Sequence, residues 1–124
     1  MAEKAPLVCF GGMSNVGTLT ALAALDVAKA GETTVFCLAS LANGDPVVQK
    51  RLRETERIVA VDGCPLSCAR RIAERAGFVP DRALVLAGDL GIAKGSPQSV
   101  PAQDVARAAD LIRSALRGET QGRG

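Results

Sequence analysis

The chain has 124 residues, of which 48% are hydrophobic and 23% are charged, and its formal net charge is +2. This average composition excludes a disordered or collagen-like chain, and the length predicts one domain over residues 1–124. The chain contains no histidine, which excludes Ser-His-Asp triads, Cys-His dyads and zinc sites with histidine ligands.

The small net charge and the 2% of aromatic residues argue against a nucleic-acid-binding surface. No apolar run approaches the ~20 residues that cross a bilayer, so we expect no membrane contact. The segment that starts at Met1 has no apolar signal core, and we therefore expect a cytoplasmic protein.

The hydrophobic pattern predicts alternating strands and helices. Strands are predicted at residues 7–10, 33–38, 58–61 and 83–87, where short apolar runs lead into turn residues. Helices are predicted after a cap at Ser14 or Asn15, over residues 46–54, from Pro65 to just before Gly77, and from Pro101 to about Leu116. Residues 118–124 are predicted to be a frayed tail.

Four β-α units with apolar strands predict an α/β fold with an open parallel sheet and helices on both faces. We expect about four strands in the order 2-1-3-4, which is a Rossmann-like arrangement.

Four cysteines fall at the ends of these predicted strands. Cys9 and Cys37 end the first and second strands, Cys64 follows the third, and Cys68 is expected one helical turn after Cys64 on the same face. Because the carboxyl ends of parallel strands share one edge, we expect the four thiols to converge. Four thiolates make a closed tetrahedral Zn²⁺ site or hold an iron–sulfur cluster.

The surroundings of these thiols predict hydrogen bonds to the sulfurs. We expect donors from the amides of Gly11, Gly12 and Gly63 and from the side chain of Lys94. The long irregular segment over residues 88–100 leaves the same edge of the predicted sheet, so it is a candidate cover that carries Lys94 towards the site. The alternative is a solvated connection.

Other interpretations of the same residues stay open. Cys9 and Cys37 also fit as buried core residues of strands. Cys64 with Cys68 as resolving thiol would suit a redox or oxyanion-reducing enzyme. The pattern Cys64-x₅-Arg70 matches the loop of cysteine phosphatases, although Pro65 removes one amide donor.

The glycine-rich turn before Asn15 matches neither common nucleotide-binding fingerprint, and it leaves an anion or polar ligand near Ser14 and Asn15 as an option.

The stretch Cys9-Phe-Gly-Gly-Met-Ser, the triplet Asp62-Gly63-Cys64 and the segment Cys64-Pro-Leu-Ser-Cys68, together with Cys37, resemble the DGC-domain family. The resemblance runs from about Leu7 to the last predicted helix. It implies a zinc-binding protein with Cys9, Cys37, Cys64 and Cys68 as the ligands, and all four are present here.

Residue pattern and resemblance together predict one Zn²⁺ in a Cys₄ site with a structural or sensing role, with an iron–sulfur cluster as the alternative. The expected partner is a metal ion, and no protein partner is indicated. A closed site leaves no open position for a substrate, which favours a binding protein over an enzyme. The carboxylates expected near this edge are Asp62 and Asp89.

Overall fold

Three parallel strands form the centre of the computed structural model, which describes residues 4–8 and 14–119. The strands are β1 (Lys4–Val8), β2 (Arg57–Asp62) and β3 (Arg82–Val85), in the order β1-β2-β3. Val8 pairs with Val61, and Asp62 pairs with Val85. The helices are α1 (Asn15–Lys29), α2 (Leu38–Ala42), α3 (Pro46–Arg53), α4 (Cys68–Arg75), α5 (Leu86–Leu90) and α6 (Ala102–Leu116).

Helices cover both faces of this sheet, as the apolar strands predict. Val59 and Val61 of β2 belong to a core cluster with α1 and α6, whereas Ile58 of the same strand belongs to a second cluster with α2, α3 and α4. Alternate residues of a strand point to opposite faces, so β2 anchors both clusters. The mixed α/β class is therefore confirmed.

The strand predicted at residues 33–38 does not form. Only Phe36 bridges to β1: its amide donates to the carbonyl of Pro6 (3.3 Å). Pro6 has no amide hydrogen, so it cannot donate the next bond of a parallel ladder on this edge. Instead, the Thr33 hydroxyl donates a hydrogen bond to the Lys4 carbonyl (2.7 Å). The described residues therefore hold three strands rather than four, and the Rossmann-like arrangement is not confirmed.

The strand predicted at 83–87 ends two residues early. Helix α5 starts at Leu86, and the carboxylate of Asp89 reaches back to the amide of Val85 (2.9 Å). An acidic side chain in the first turn stabilises a helix N-terminus. The irregular segment predicted over residues 88–100 consequently begins only after Leu90.

The long helices follow their sequence signals closely. The Ser14 hydroxyl accepts from the amide of Gly17 (3.1 Å) and caps α1, and Gly31, beyond its end, has a φ of 79°. The apolar stripe of α6 packs in the core. Within the described part of the chain, no helix combines the length and the apolar character that a membrane span requires.

Gly63 is needed for a close backbone contact. A Cβ at this position would lie 2.5 Å from the carbonyl carbon of Val16 and 2.7 Å from the nitrogen of Gly17, in the first turn of α1. The residues that follow β2 therefore pack directly against the beginning of α1.

Replacing Gly63 by Ala should lower the free energy of unfolding by about 1–3 kcal/mol, because backbone atoms must move to admit the methyl group. The chain has no Trp or Tyr, so urea unfolding followed by far-ultraviolet circular dichroism is the suitable measurement. Gly88→Ala is the matched control, since a Cβ at Gly88 meets nothing within 4 Å. Equal midpoints for the two variants would contradict the close contact.

Candidate thiol site at the carboxyl end of the sheet

Two of the cysteines, Cys37 and Cys64, lie just beyond the carboxyl end of the sheet, as expected. Cys37 directly follows Phe36, whose bridge joins it to Leu7 near the end of β1. Cys64 lies two residues after Asp62, the last residue of β2. Cys9 is the residue after Val8 in the sequence and lies outside the described residues.

Cys64 and Cys68 do not share a helical face, so that prediction is wrong. Helix α4 begins at Cys68 rather than at Pro65, and Cys64 lies in a turn closed by a bond from the Ser67 amide to the Cys64 carbonyl (3.1 Å). Ser67 has left-handed backbone angles (φ 54°, ψ 48°). A left-handed residue cannot belong to a right-handed helix, so it separates the two cysteines.

The beginning of α4 is held by Asp62 rather than by a neighbouring cap. The Ser67 side chain makes no capping bond. Instead the carboxylate of Asp62 accepts from the amides of Ala69 (2.7 Å) and Arg70 (3.1 Å). Burial raises the pKa of Asp62, against the lowering effect of these two hydrogen bonds. This carboxylate thus holds the loop that contains Cys64.

The same bonds argue against a phosphatase-like anion cradle between Cys64 and Arg70. Such a cradle requires free amides that point at an oxyanion. Here the amides of Ala69 and Arg70 donate to the Asp62 carboxylate, and the Ser67 amide donates to the backbone carbonyl of Cys64. Pro65 has no amide hydrogen to donate. The chain's own carboxylate takes the place of the anion.

Lys94 contacts Cys64, as the sequence predicts. The ammonium nitrogen of Lys94 lies 3.8 Å from the sulfur of Cys64. The segment between α5 and α6 therefore brings a positive charge to this thiol; Cys64 is half-buried and Lys94 is exposed.

Asn15 fixes the backbone on both sides of Lys94. Its side-chain nitrogen donates to the carbonyl of Ala93 (2.9 Å), and its side-chain oxygen accepts from the amide of Gly95 (2.7 Å). The backbone amide of Asn15 also donates to the carbonyl of Gly95 (3.1 Å). These polar atoms bind the chain itself, in the region where an anion or polar ligand was an option. Sequence reasoning missed this function of Asn15.

Cys37 is exposed and is not a buried strand residue, so the core interpretation of this cysteine is wrong. Its sulfur accepts from the amide of Ser40 (3.4 Å) at the start of α2. Hydrogen bonds from Ser40 hold the pKa of Cys37 below its ordinary value of 9.0. The residue borders an apolar groove of about 500 Å³ together with Ile72, which lies one helical turn after Cys68.

The described cysteines are free thiols, and they do not form a finished metal site. Cys37, Cys64 and Cys68 are all unpaired with one another. Among residues 4–8 and 14–119, no three Cys, Asp or Glu side chains are arranged so that they could hold a metal ion. The Cys₄ site, which includes Cys9, stays a prediction.

Comparison with known proteins places these residues in context. The model of the DGC domain matches residues 7–112. The protein "Anaerobic and virulence modulator AnvM" of Pseudomonas aeruginosa is 34% identical over 106 residues, which cover 85% of this chain and 80% of that protein. No solved structure matches the chain.

Replacing Asp62 by Ala should lower the free energy of unfolding by about 1–2 kcal/mol and release the first turn of α4. Amide hydrogen exchange measured by NMR should accelerate at Ala69 and Arg70. The matched control is Asp45→Ala, which removes the cap of α3, where Asp45 accepts from the amide of Val47. Unchanged exchange at Ala69 and Arg70 in the Asp62 variant would refute the capping role.

Proposed function

Because the chain belongs to the DGC-domain family, we propose that it is a metal-binding protein that holds one Zn²⁺ through Cys9, Cys37, Cys64 and Cys68. Its function is then structural or sensing rather than catalytic.

The observation that carries this proposal is the position of the thiols relative to the sheet. Cys37 and Cys64 each follow a residue at the carboxyl end of the sheet, and Cys68 opens the helix that Asp62 of β2 caps. Cys9 comes directly after β1 in the sequence. Thiolates are soft ligands that suit Zn²⁺, and the chain has no histidine that could replace them.

The donor set fits the metal, but the described arrangement requires a local closure. Zinc–sulfur bonds measure about 2.3 Å, so four ligands must come close together. The described residues do not bring three donors together in this way. Metal binding would therefore draw the beginning of α2 towards the turn at Cys64, which couples binding to local order.

The electrostatics around Cys64 support a thiolate site. A Zn²⁺ ion with four thiolates carries a net charge of about −2. Lys94, at 3.8 Å from the Cys64 sulfur, offsets part of that charge. Cys68 lies at the N-terminus of α4, where the partial positive charge of the helix favours an anionic ligand.

A sensing role agrees with what surrounds the thiols. Four protein ligands leave no open position for a substrate. Asp62 and Asp89, the carboxylates predicted near this edge, both accept from backbone amides. The relative from Pseudomonas aeruginosa is described as a modulator, which is compatible with a protein whose metal occupancy is a signal.

A thiol enzyme is the second candidate. The contact between Lys94 and Cys64 favours it, because it brings a positively charged side chain within 3.8 Å of the sulfur that would attack. In that case Cys64 is the nucleophile and Cys68 the resolving thiol. An iron–sulfur cluster bound by the same four cysteines is a variant of the metal-binding proposal, since thiolates bind both zinc and iron.

The metal content of anaerobically purified protein decides between these functions. We expect one zinc per chain by mass spectrometry and a colourless sample, whereas iron with sulfide and visible absorption would indicate a cluster. Cys64→Ser should remove the metal or lower its retention by at least tenfold during dialysis against a chelator. Leu66→Ser is the matched control, because Leu66 lies in the same turn, is 60% exposed and has no side-chain atom that could bind a metal. This variant should keep its metal.

The thiol enzyme predicts a different result in the same samples. Cys64 should then alkylate quickly near neutral pH whether or not a chelator has been added. Slow alkylation that accelerates only after chelation supports the metal site. Metal retained at unchanged stoichiometry in Cys64→Ser would exclude Cys64 as a ligand.

A further inference from the structure

The fold brings Cys64 and Lys94 together. They are 30 positions apart in the sequence, yet the Lys94 nitrogen lies 3.8 Å from the Cys64 sulfur. A thiol and a primary amine at this distance can react with each other once the sulfur is oxidised.

The geometry keeps the two groups close. Asn15 is 7% exposed and binds the backbone at Ala93 and at Gly95, the residues on either side of Lys94. On the other side, the turn that contains Cys64 is closed by the Ser67 amide, and the helix after it is held by Asp62. Both backbones are thus fixed, and only the Lys94 side chain needs to move. Such fixed proximity greatly accelerates reactions between two groups.

We propose that Cys64 and Lys94 are a redox modification site, in which a peroxide oxidises Cys64 and the Lys94 amine captures the product as a covalent sulfur–nitrogen cross-link. The general chemistry is that of a sulfenic acid, which condenses with a thiol or with a nitrogen nucleophile.

The reaction balances in two steps. Hydrogen peroxide oxidises the Cys64 thiol by two electrons to a sulfenic acid and is itself reduced to water. The lone pair of the Lys94 amine, after its ammonium form has lost a proton to solvent, then attacks the sulfur. The sulfur–oxygen bond breaks, hydroxide leaves and takes up the second amine proton as water, and a sulfenamide remains. The sum is thiol, amine and peroxide giving sulfenamide and two waters.

The cross-link would bind the segment between α5 and α6 covalently to the turn after β2. If Cys64 ligates a metal, which rests on the proposed function, the link removes one thiolate and releases the ion. An external thiol restores Cys64 by attack at its sulfur, because a sulfenamide sulfur is reactive towards thiolates. The site would then respond reversibly to peroxide.

Peptide mapping of the full-length protein tests this directly. The chain is treated with hydrogen peroxide both as purified and after chelation, the free thiols are alkylated, and the protein is digested with trypsin. We expect the peptide of residues 58–70 joined to that of residues 83–107, because a modified Lys94 resists cleavage. The joined mass should be two hydrogens below the sum, Cys68 should be alkylated, and prior reduction should abolish the species.

Matched variants separate the cross-link from general oxidation. Lys94→Arg keeps the positive charge but has no primary amine, and it should form no link. Asn15→Ala should lower the yield several-fold, because Lys94 is no longer held in place. Lys50→Arg is the control, since Lys50 is an exposed lysine on α3, and it should leave the yield unchanged.

Several outcomes would overturn the proposal: a Cys64–Cys68 disulfide with Lys94 cleaved normally, no link in either wild-type sample, or an undiminished link in Asn15→Ala. Metal content measured on the same untreated sample keeps the two hypotheses apart. A chain that forms the link without binding metal contradicts only the proposed function. A chain that binds metal and forms no link contradicts only the cross-link.

Discussion

The hydrogen bonds that the amides of Ala69 and Arg70 donate to the Asp62 carboxylate hold the candidate site together. They join the last residue of a central strand to the first turn of the helix that begins at Cys68. Ser67, with its left-handed backbone, makes no side-chain capping bond for that helix. Without Asp62 the donors at the start of α4 would lose their acceptor, and the turn with Cys64 would lose its anchor.

The beginning of α1 supplies the second constraint. Its first turn packs against Gly63 so closely that a Cβ there would lie 2.5 Å from backbone atoms. Its first residue, Asn15, binds the segment that carries Lys94. The triplet Asp62-Gly63-Cys64 therefore combines three different requirements in adjacent positions: a carboxylate that caps a helix, the absence of a side chain, and a thiol that meets a lysine.

The errors of the sequence prediction have identifiable physical causes. The segment at 33–38 is β-branched and apolar, yet Pro6 on the neighbouring edge of β1 lacks the amide that would extend the ladder. The proline is visible in the sequence, but it lies in β1 and not in the segment whose structure it affects. Proline suits a first helical turn, so the sequence predicts that α4 begins at Pro65, whereas Asp62 and the left-handed Ser67 make it begin at Cys68. Rules that use only the residues next to a helix start do not detect a capping side chain that comes from the preceding strand, as Asp62 does here.

The sequence by itself determined the elements whose signals are local: the apolar strand β2, the amphipathic helices α1 and α6, and a cap for α1 at Ser14 or Asn15. The lack of histidine also restricted the possible ligands to thiols. It also placed Cys64 and Lys94 at one edge, because parallel strands share that edge. Only the tertiary structure decided which polar groups the chain itself engages. The Asp62 carboxylate accepts from amides at the start of α4, and the Asn15 side chain binds the backbone on both sides of Lys94. Hydrogen bonds between distant segments depend on three-dimensional packing, and no periodicity or spacing along the chain encodes them.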